Sequence, residues 1–229
     1  MSFDAHDLPS SLAALTTARM REELLNAKWL PGTLLQEGEL SELYGVSKTP
    51  IREALRLLSN EGWIDVLPRR GYLVRRLRLH DVREIFDVRL LVEPGLFART
   101  ARYLDRREVA ELRRIADTKI DSNGSIDGSA STGREFHLAL ARMSRNERAL
   151  AIVTGLLNEV RRLHQFLSDM DTHRRPELIT SEHQAMVSAL ENRNIEGAYR
   201  LMHDHISADG RRMVEAFSRT MAGPNGKPL

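Results

Sequence analysis

The chain reads as mainly α, with an N-terminal winged helix-turn-helix followed by an antiparallel all-helical bundle. Three observations predict this class. Two short helical patterns, one through Leu40–Tyr44 and one opening at Ser47, meet at the tight turn of Gly45. A basic two-stranded hairpin follows at once, from Trp63 to Val74. Beyond about residue 80 apolar residues recur at helical spacing, and nothing shows the period-two alternation of a strand.

A first helix is expected from about Ser11 to Ala27, with Leu12, Leu15, Met20 and Leu24 marking its buried side. Pro31-Gly32 supplies the turn after it. Leu40, Leu43 and Tyr44 give the next helix an apolar face, and Gly45 ends it. Ser47 is a good N-cap for the following helix, because its hydroxyl can accept a free first-turn amide. Pro50 falls in that first turn, where a missing N–H costs little. Ile51, Leu55 and Leu58 share one face. Lys48, Thr49, Arg52 and Arg56 lie off it and leave a positive surface free for a groove. Gly62 stops the helix. Trp63, Ile64 and Val66 form a strand, Pro68, Arg69, Arg70 and Gly71 turn, and Tyr72–Val74 return.

Charge supports a nucleic-acid role for this unit. From Gly45 to Arg78 there are eight Lys/Arg against three Asp/Glu, a net +5, whereas the whole chain carries only +2. Neutralising phosphates with such a cluster predicts salt-sensitive binding to double-stranded DNA. A solvated helix and hairpin in a protein-binding winged domain is the plainer alternative.

The rest divides into about six helices, near Asp81–Tyr103, Asp105–Thr118, Ser131–Met143, Asn146–Leu167, Leu178–Asn192 and Ile195–Phe217. Pro94 is expected to kink or interrupt the first. The Gly/Ser/Asp-rich stretch Ser122–Ser131 reads as a loop. The domain boundaries are then 1–10 as a flexible N-terminus, 11–76 as the winged unit, 77–80 as a linker, 81–221 as the helical domain and 222–229 as a tail. There are no cysteines, so disulfides and thiolate metal sites are excluded, as suits a reducing cytoplasm. No segment reads as a signal peptide or approaches membrane-spanning length. Hydrophobic content of 41% suffices for a packed core.

Three of the eight histidines sit on apolar faces. His183 shares one with Ile179, Met186 and Leu190. His205 shares one with Ala198, Leu201 and Met202. His137 borders Phe136, Leu140 and Met143. On three helices facing one interior they could converge, and neutral imidazoles are good ligands for Zn, Ni and similar divalent ions. Hydrogen-bonded core histidine is the alternative for each taken singly. Arg89 and Glu93 extend the apolar face of Val82, Ile85 and Phe86. A buried charge must be paired, so either they form an i, i+4 ion pair or Arg89 grips a ligand carboxylate in a fork. Arg134, one turn before His137, is a second candidate for that grip.

The run PGTLLQEGELSELYGVSKTPIREALRLLSNEGWIDVLPRRGYLV resembles the N-terminal domain of GntR-type bacterial transcription regulators. LHDVREIFDVRLLVEPGLFARTA, REFHLALARMSRN and SEHQAMVSALENRNIEGAYRLMHDHI, in that order, are similar to the FCD ligand-binding domain of the FadR-like subgroup. The resemblance implies a homodimeric regulator, often a repressor, whose near-palindromic operator is released or gripped under control of a small effector. DNA contacts would come from Ser47, Lys48, Thr49, Arg52, Arg69, Arg70 and Gly71. Many such domains hold a divalent metal through an aspartate, a histidine four residues later and two more histidines. The histidines match His137, His183 and His205, but Gly133 stands where the aspartate would be, so water or an effector carboxylate is left to fill the fourth position. Glu135, at two residues' spacing from His137, faces away. The resemblance also makes Arg89 a cavity-facing residue, and a metal beside an arginine suits a small organic acid or sugar acid. Lys48 replaces the family's usual arginine and keeps the charge without its bidentate fork. Gly38 replaces another common basic contact. A metal-dependent hydrolase-like enzyme and an effector-independent DNA-binding dimer are the rival classes.

Overall fold

The computed structural model describes residues 11–118, 126–167 and 176–222. They divide into two compact units, one up to Leu77 and one from Arg78.

The first unit runs α1 (Leu12–Leu25), β1 (Leu34–Leu35), α2 (Glu37–Tyr44), α3 (Lys48–Asn60), β2 (Ile64–Leu67) and β3 (Gly71–Val74). The helix-turn-helix and wing are therefore where the glycines and the hairpin place them. Gly45 ends α2 with φ +65°, and Gly62 follows α3 with φ +82°, the left-handed conformations that favour glycine. Ser47 has N-cap backbone geometry, but its hydroxyl makes no capping bond, so it remains on the surface for another partner. The two-residue strand β1 was not foreseen. It pairs with β3, giving an antiparallel sheet of order β1-β3-β2, with Leu34 opposite Leu73 and Ile64 opposite Val74. A two-residue strand has no periodicity of its own; only its partner defines it.

The core of this unit joins Met20 and Leu24 of α1 to Leu40 of α2, Ile51, Leu55 and Leu58 of α3, and Ile64 and Val74 of the hairpin. Leu12 and Leu15 were expected inside but are more than half exposed. The buried stripe is instead Thr16, Met20 and Leu24, one turn apart each, with Thr17 beside it. At about 100° per residue, Leu15 points roughly 140° away from Met20. Leu12 begins the helix and overhangs the core. Thr16 and Thr17 return their hydroxyls to the carbonyls of Leu12 and Ala13, each at 2.7 Å, which lets polar residues occupy the buried face. Leu43 is likewise half exposed, outside the narrow face of a two-turn helix.

The second unit contains α4 (Leu79–Thr100), α5 (Arg106–Ala116), α6 (Ile126–Met143), α7 (Glu147–Phe166), α8 (Pro176–Glu191) and α9 (Ile195–Ala222), with no strand among the described residues. Its centre is α4 laid along α9, flanked by α7; α6 packs between α7 and α5, and α8 lies against α5 and α9. Helix α4 begins at Leu79, within the expected linker, and runs unbroken through Pro94. The proline is buried, as are Glu93, Leu96 and Phe97 around it, so packing on both sides offsets the lost amide. Helix α6 begins at Ile126, so 126–131 are helical rather than loop; 122–125, and the 1–10 and 223–229 segments expected to be flexible, lie outside the described residues. Gly210 is the close-approach point of α9 on α4: a Cβ there would meet Phe86 carbons at 3.0 to 3.1 Å.

Candidate nucleic-acid interface and candidate metal centre

On the winged unit, Ser47, Lys48, Thr49 and Arg52 are exposed along the start of α3, and Arg69 and Arg70 are exposed at the wing tip. The tip is tightly built. Arg69 has φ +64° and Gly71 φ +108°. A Cβ at Gly71 would lie 2.5 Å from the Leu35 carbonyl oxygen, so glycine is required where the wing passes β1. The cleft between wing and α2 is lined by Gln36, Glu37 and Gly38 on one side and Arg69, Arg70 and Tyr72 on the other. Arg52 is not a free cation. Its guanidinium forks onto Glu37, Nε at 3.0 and 3.1 Å from the two carboxylate oxygens and Nη2 at 2.7 Å.

In the helical unit the three histidines do converge. His137 on α6, His183 on α8 and His205 on α9 are all buried, and each can offer a ring nitrogen so that the three lie within 4.8 Å of one another. Each ring is set by its neighbours. His137 Nδ1 pairs with Glu93 of α4. His205 Nδ1 lies 2.6 Å from Glu182 Oε2. His183 stacks on Phe136, ring centres 4.2 Å apart and 12° from parallel, and its Nε2 has no hydrogen-bond partner among the described residues.

The tautomers follow. A carboxylate on Nδ1 holds the proton there and leaves Nε2 with its lone pair. His137 Nε2 and His205 Nε2 face each other across 3.2 Å. Burial lowers the His137 pKa despite the opposing Glu93 charge, and burial lowers that of His183 further, helped by the two neighbouring imidazoles. These two rings are neutral at neutral pH. Three buried ring nitrogens converging within 4.8 Å, that of His183 without a hydrogen-bond partner among the described residues, fit a divalent cation. Ligating histidines with carboxylates on the distal nitrogen are the usual second layer of such sites.

Glu93 is the hub that sequence reading saw only in part. Its pairing with Arg89 was expected, and Arg89 Nε is 2.5 Å from Glu93 Oε1, both side chains almost wholly buried. Its hold on His137 was not. Burial opposes ionisation of Glu93, but Arg89 and His137 together keep its carboxyl well below the usual range. Arg89 is also 3.6 Å from Asp209 of α9. Arg134 donates from Nη2 to Asn158 at 2.7 Å. Glu135 lies on the surface in an ion pair with Arg142, facing away as its spacing requires. The site also borders Gly133: a Cβ there would stand 3.9 Å from His183 Cε1 and 3.8 Å from Ile179. The only signal for Glu182 is its adjacency to His183, which places it off that histidine's face but on the side His205 approaches.

Comparison with known proteins agrees with both halves. Residues 12–74 match the family model described as bacterial regulatory proteins, gntR family, and residues 84–208 match that of the FCD domain. The uncharacterized HTH-type transcriptional regulator YdhC of Bacillus subtilis (strain 168) is 28% identical over 194 residues, covering 83% of this chain and 86% of that one. The HTH-type transcriptional repressor RspR of Escherichia coli (strain K12) is 26% identical, covering 82% of each. Among solved structures, Escherichia coli McbR/YncC superposes with a TM-score of 0.76 at 21% identity, over 90% of this chain and 99% of that one, a likeness of fold.

Proposed function

The chain belongs to the gntR family of bacterial regulatory proteins and carries an FCD domain, and from that premise we propose that it is an effector-controlled, sequence-specific transcription regulator with a metal-assisted carboxylate pocket. Its family consists of transcription regulators, not enzymes. Members bind DNA and act as dimers. Among the described residues no helix is long and apolar enough to cross a membrane, and the place of action proposed is the cytoplasm.

Two recognition helices in a homodimer call for a near-palindromic operator. Lys48, Thr49 and Arg52 enter the major groove, Ser47 anchors a phosphate with its uncapped hydroxyl, and Arg69, Arg70 and Gly71 follow the backbone or minor groove. His137, His183 and His205 hold a divalent ion such as Zn or Ni, which would supply a Lewis-acid anchor for an anion. Glu93 and Glu182 keep two of the imidazoles in the ligating tautomer. Arg89 fixes Glu93 by charge, and Arg89 and Arg134 are the proposed partners of a small organic acid or sugar acid. Gly133 brings no side chain beside His183, where such an effector's carboxylate would be accommodated. Effector binding then shifts the spacing of the two winged units, a coupling free energy between the sites.

The observation that carries this reading is the convergence of three buried histidines in a domain linked to a basic winged unit. Metal analysis of unchelated protein, with a thermal-shift screen of small carboxylates, tests it. Stoichiometric metal and a selective carboxylate shift are expected, and His183→Ala removes both while DNA binding persists. Metal content unchanged in His183→Ala refutes the three-histidine centre. Loss of operator binding in Arg52→Ala is expected; unchanged affinity at physiological salt refutes the proposed docking.

A further inference from the structure

Arg52 lies on the exposed side of α3, yet its guanidinium is already engaged by Glu37, the first residue of α2. The pair spans the glycine turn and ties the two helices of the motif together. Arg52 is 63% exposed and Glu37 25%, and an ion pair so open to water adds little to stability. Its consequence lies in which donors remain. A guanidinium has five N–H groups. Glu37 occupies the edge formed by Nε and one Nη2 hydrogen. The other edge, one hydrogen each from Nη1 and Nη2, has no partner among the described residues, and that parallel pair matches O6 and N7 of guanine in the major groove. An unheld arginine presents either edge to a base or a phosphate. Within the first two turns of α2 and α3 no other side chain offers this fork: Lys48 is a point charge and Gly38 has no side chain.

The carboxylate acts a second way. It is a negative charge among Lys48, Arg52, Arg69 and Arg70, and Lys48 adds to the pull that keeps it ionised. Phosphates are repelled by it whatever the sequence, so it weakens binding to all DNA and leaves the base contact to restore affinity at the right site.

We infer that Glu37 is a specificity-determining residue of the DNA interface, holding the Arg52 guanidinium so that one edge reads a guanine while its own charge weakens binding elsewhere. This rests on the DNA-binding reading above, and the test separates the two.

The full chain, Glu37→Gln and Arg52→Lys are each used to select from a pool of DNA duplexes with a randomised centre. Binding to the enriched duplex and to a random-sequence duplex is then measured at two salt concentrations. Wild type enriches an inverted repeat with a guanine in each half-site. In E37Q the preference for that guanine falls about tenfold while the other positions persist, and affinity for the random duplex rises roughly threefold with a steeper salt dependence. R52K loses preference at the same base pair. An E37Q profile identical to wild type overturns the inference. So does a uniform loss over all sequences, which is what a merely structural Glu37 would produce. Should E37Q lose its fold by circular dichroism, R52K carries the test alone, and retention of the guanine there overturns it. If wild type enriches nothing, the regulator reading itself fails and this inference with it.

Discussion

Replacing Glu93 by Gln isolates charge from shape at the centre of the helical unit. The amide is isosteric and its oxygen can still accept from His137 Nδ1, so hydrogen bonding to the histidine survives. What is lost is the counter-charge for Arg89, whose side chain is 2% exposed, and its hydrogen bond as well, because the amide nitrogen then faces Arg89 Nε. The remaining carboxylate, Asp209, is 3.6 Å away and 18% exposed, so it compensates only in part. Breaking a buried pair by removing one partner costs about 3–5 kcal/mol; with Asp209 still present the lower end, about 3 kcal/mol, is expected. At a slope of roughly 2 kcal/mol per molar urea this lowers the midpoint by about 1.5 M. The assay is urea unfolding of metal-free protein in chelator, followed by far-UV circular dichroism and by tryptophan fluorescence. Both tryptophans, Trp29 and Trp63, belong to the winged unit, so fluorescence reports that unit and most of the dichroism reports the helical one. The dichroism midpoint should fall while the fluorescence midpoint holds. Arg89→Met added to Glu93→Gln removes the orphaned charge and should recover most of the loss. A midpoint within about 0.3 M of wild type in the single mutant, or no recovery in the double, refutes the argument that charge pairing rather than shape holds this cluster.

Gly210→Ala should destabilise the helical unit by about 1–2 kcal/mol, read by circular dichroism, because Phe86 contributes its Cβ and ring base to the contact and cannot swing aside; a stabilised mutant would mean that helix propensity outweighs the clash. Gly71→Ala should abolish operator binding and lower the fluorescence midpoint, since the new Cβ meets backbone at a φ of +108°; normal binding would show that the wing tip relaxes freely. Acidifying metal-free protein from pH 7 to pH 5 should lower its stability. His137 and His183 are held neutral when folded and take up protons on unfolding below the ordinary value of about 6.5. A stability independent of pH across that window would show that these rings are not desolvated.

Where a feature is local, the sequence by itself determined it. The helix-turn-helix and wing follow from Gly45, Pro50, Gly62 and Gly71, each acting within a turn of its own position through fixed φ or left-handed backbone. The buried faces of His137, His183 and His205 follow from 3.6-residue periodicity, and Arg89–Glu93 from i, i+4 spacing. Tertiary structure decided what depends on partners distant in the chain. Thr16 and Thr17 lie inside and Leu15 outside because α3, not the hydrophobicity of α1, sets which side is covered. The two residues of β1 are a strand only because β3 lies beside them. The histidines become a candidate centre because four helices bring Glu93 and Glu182 behind them and leave His183 Nε2 unpartnered. Arg52, legible as a cation on a groove-facing surface, acquires an orientation from Glu37 across the turn. Periodicity specifies the direction of a side chain about its own helix axis. The distances between side chains on different helices are set only when the helices pack, and coordination and base recognition both depend on those distances.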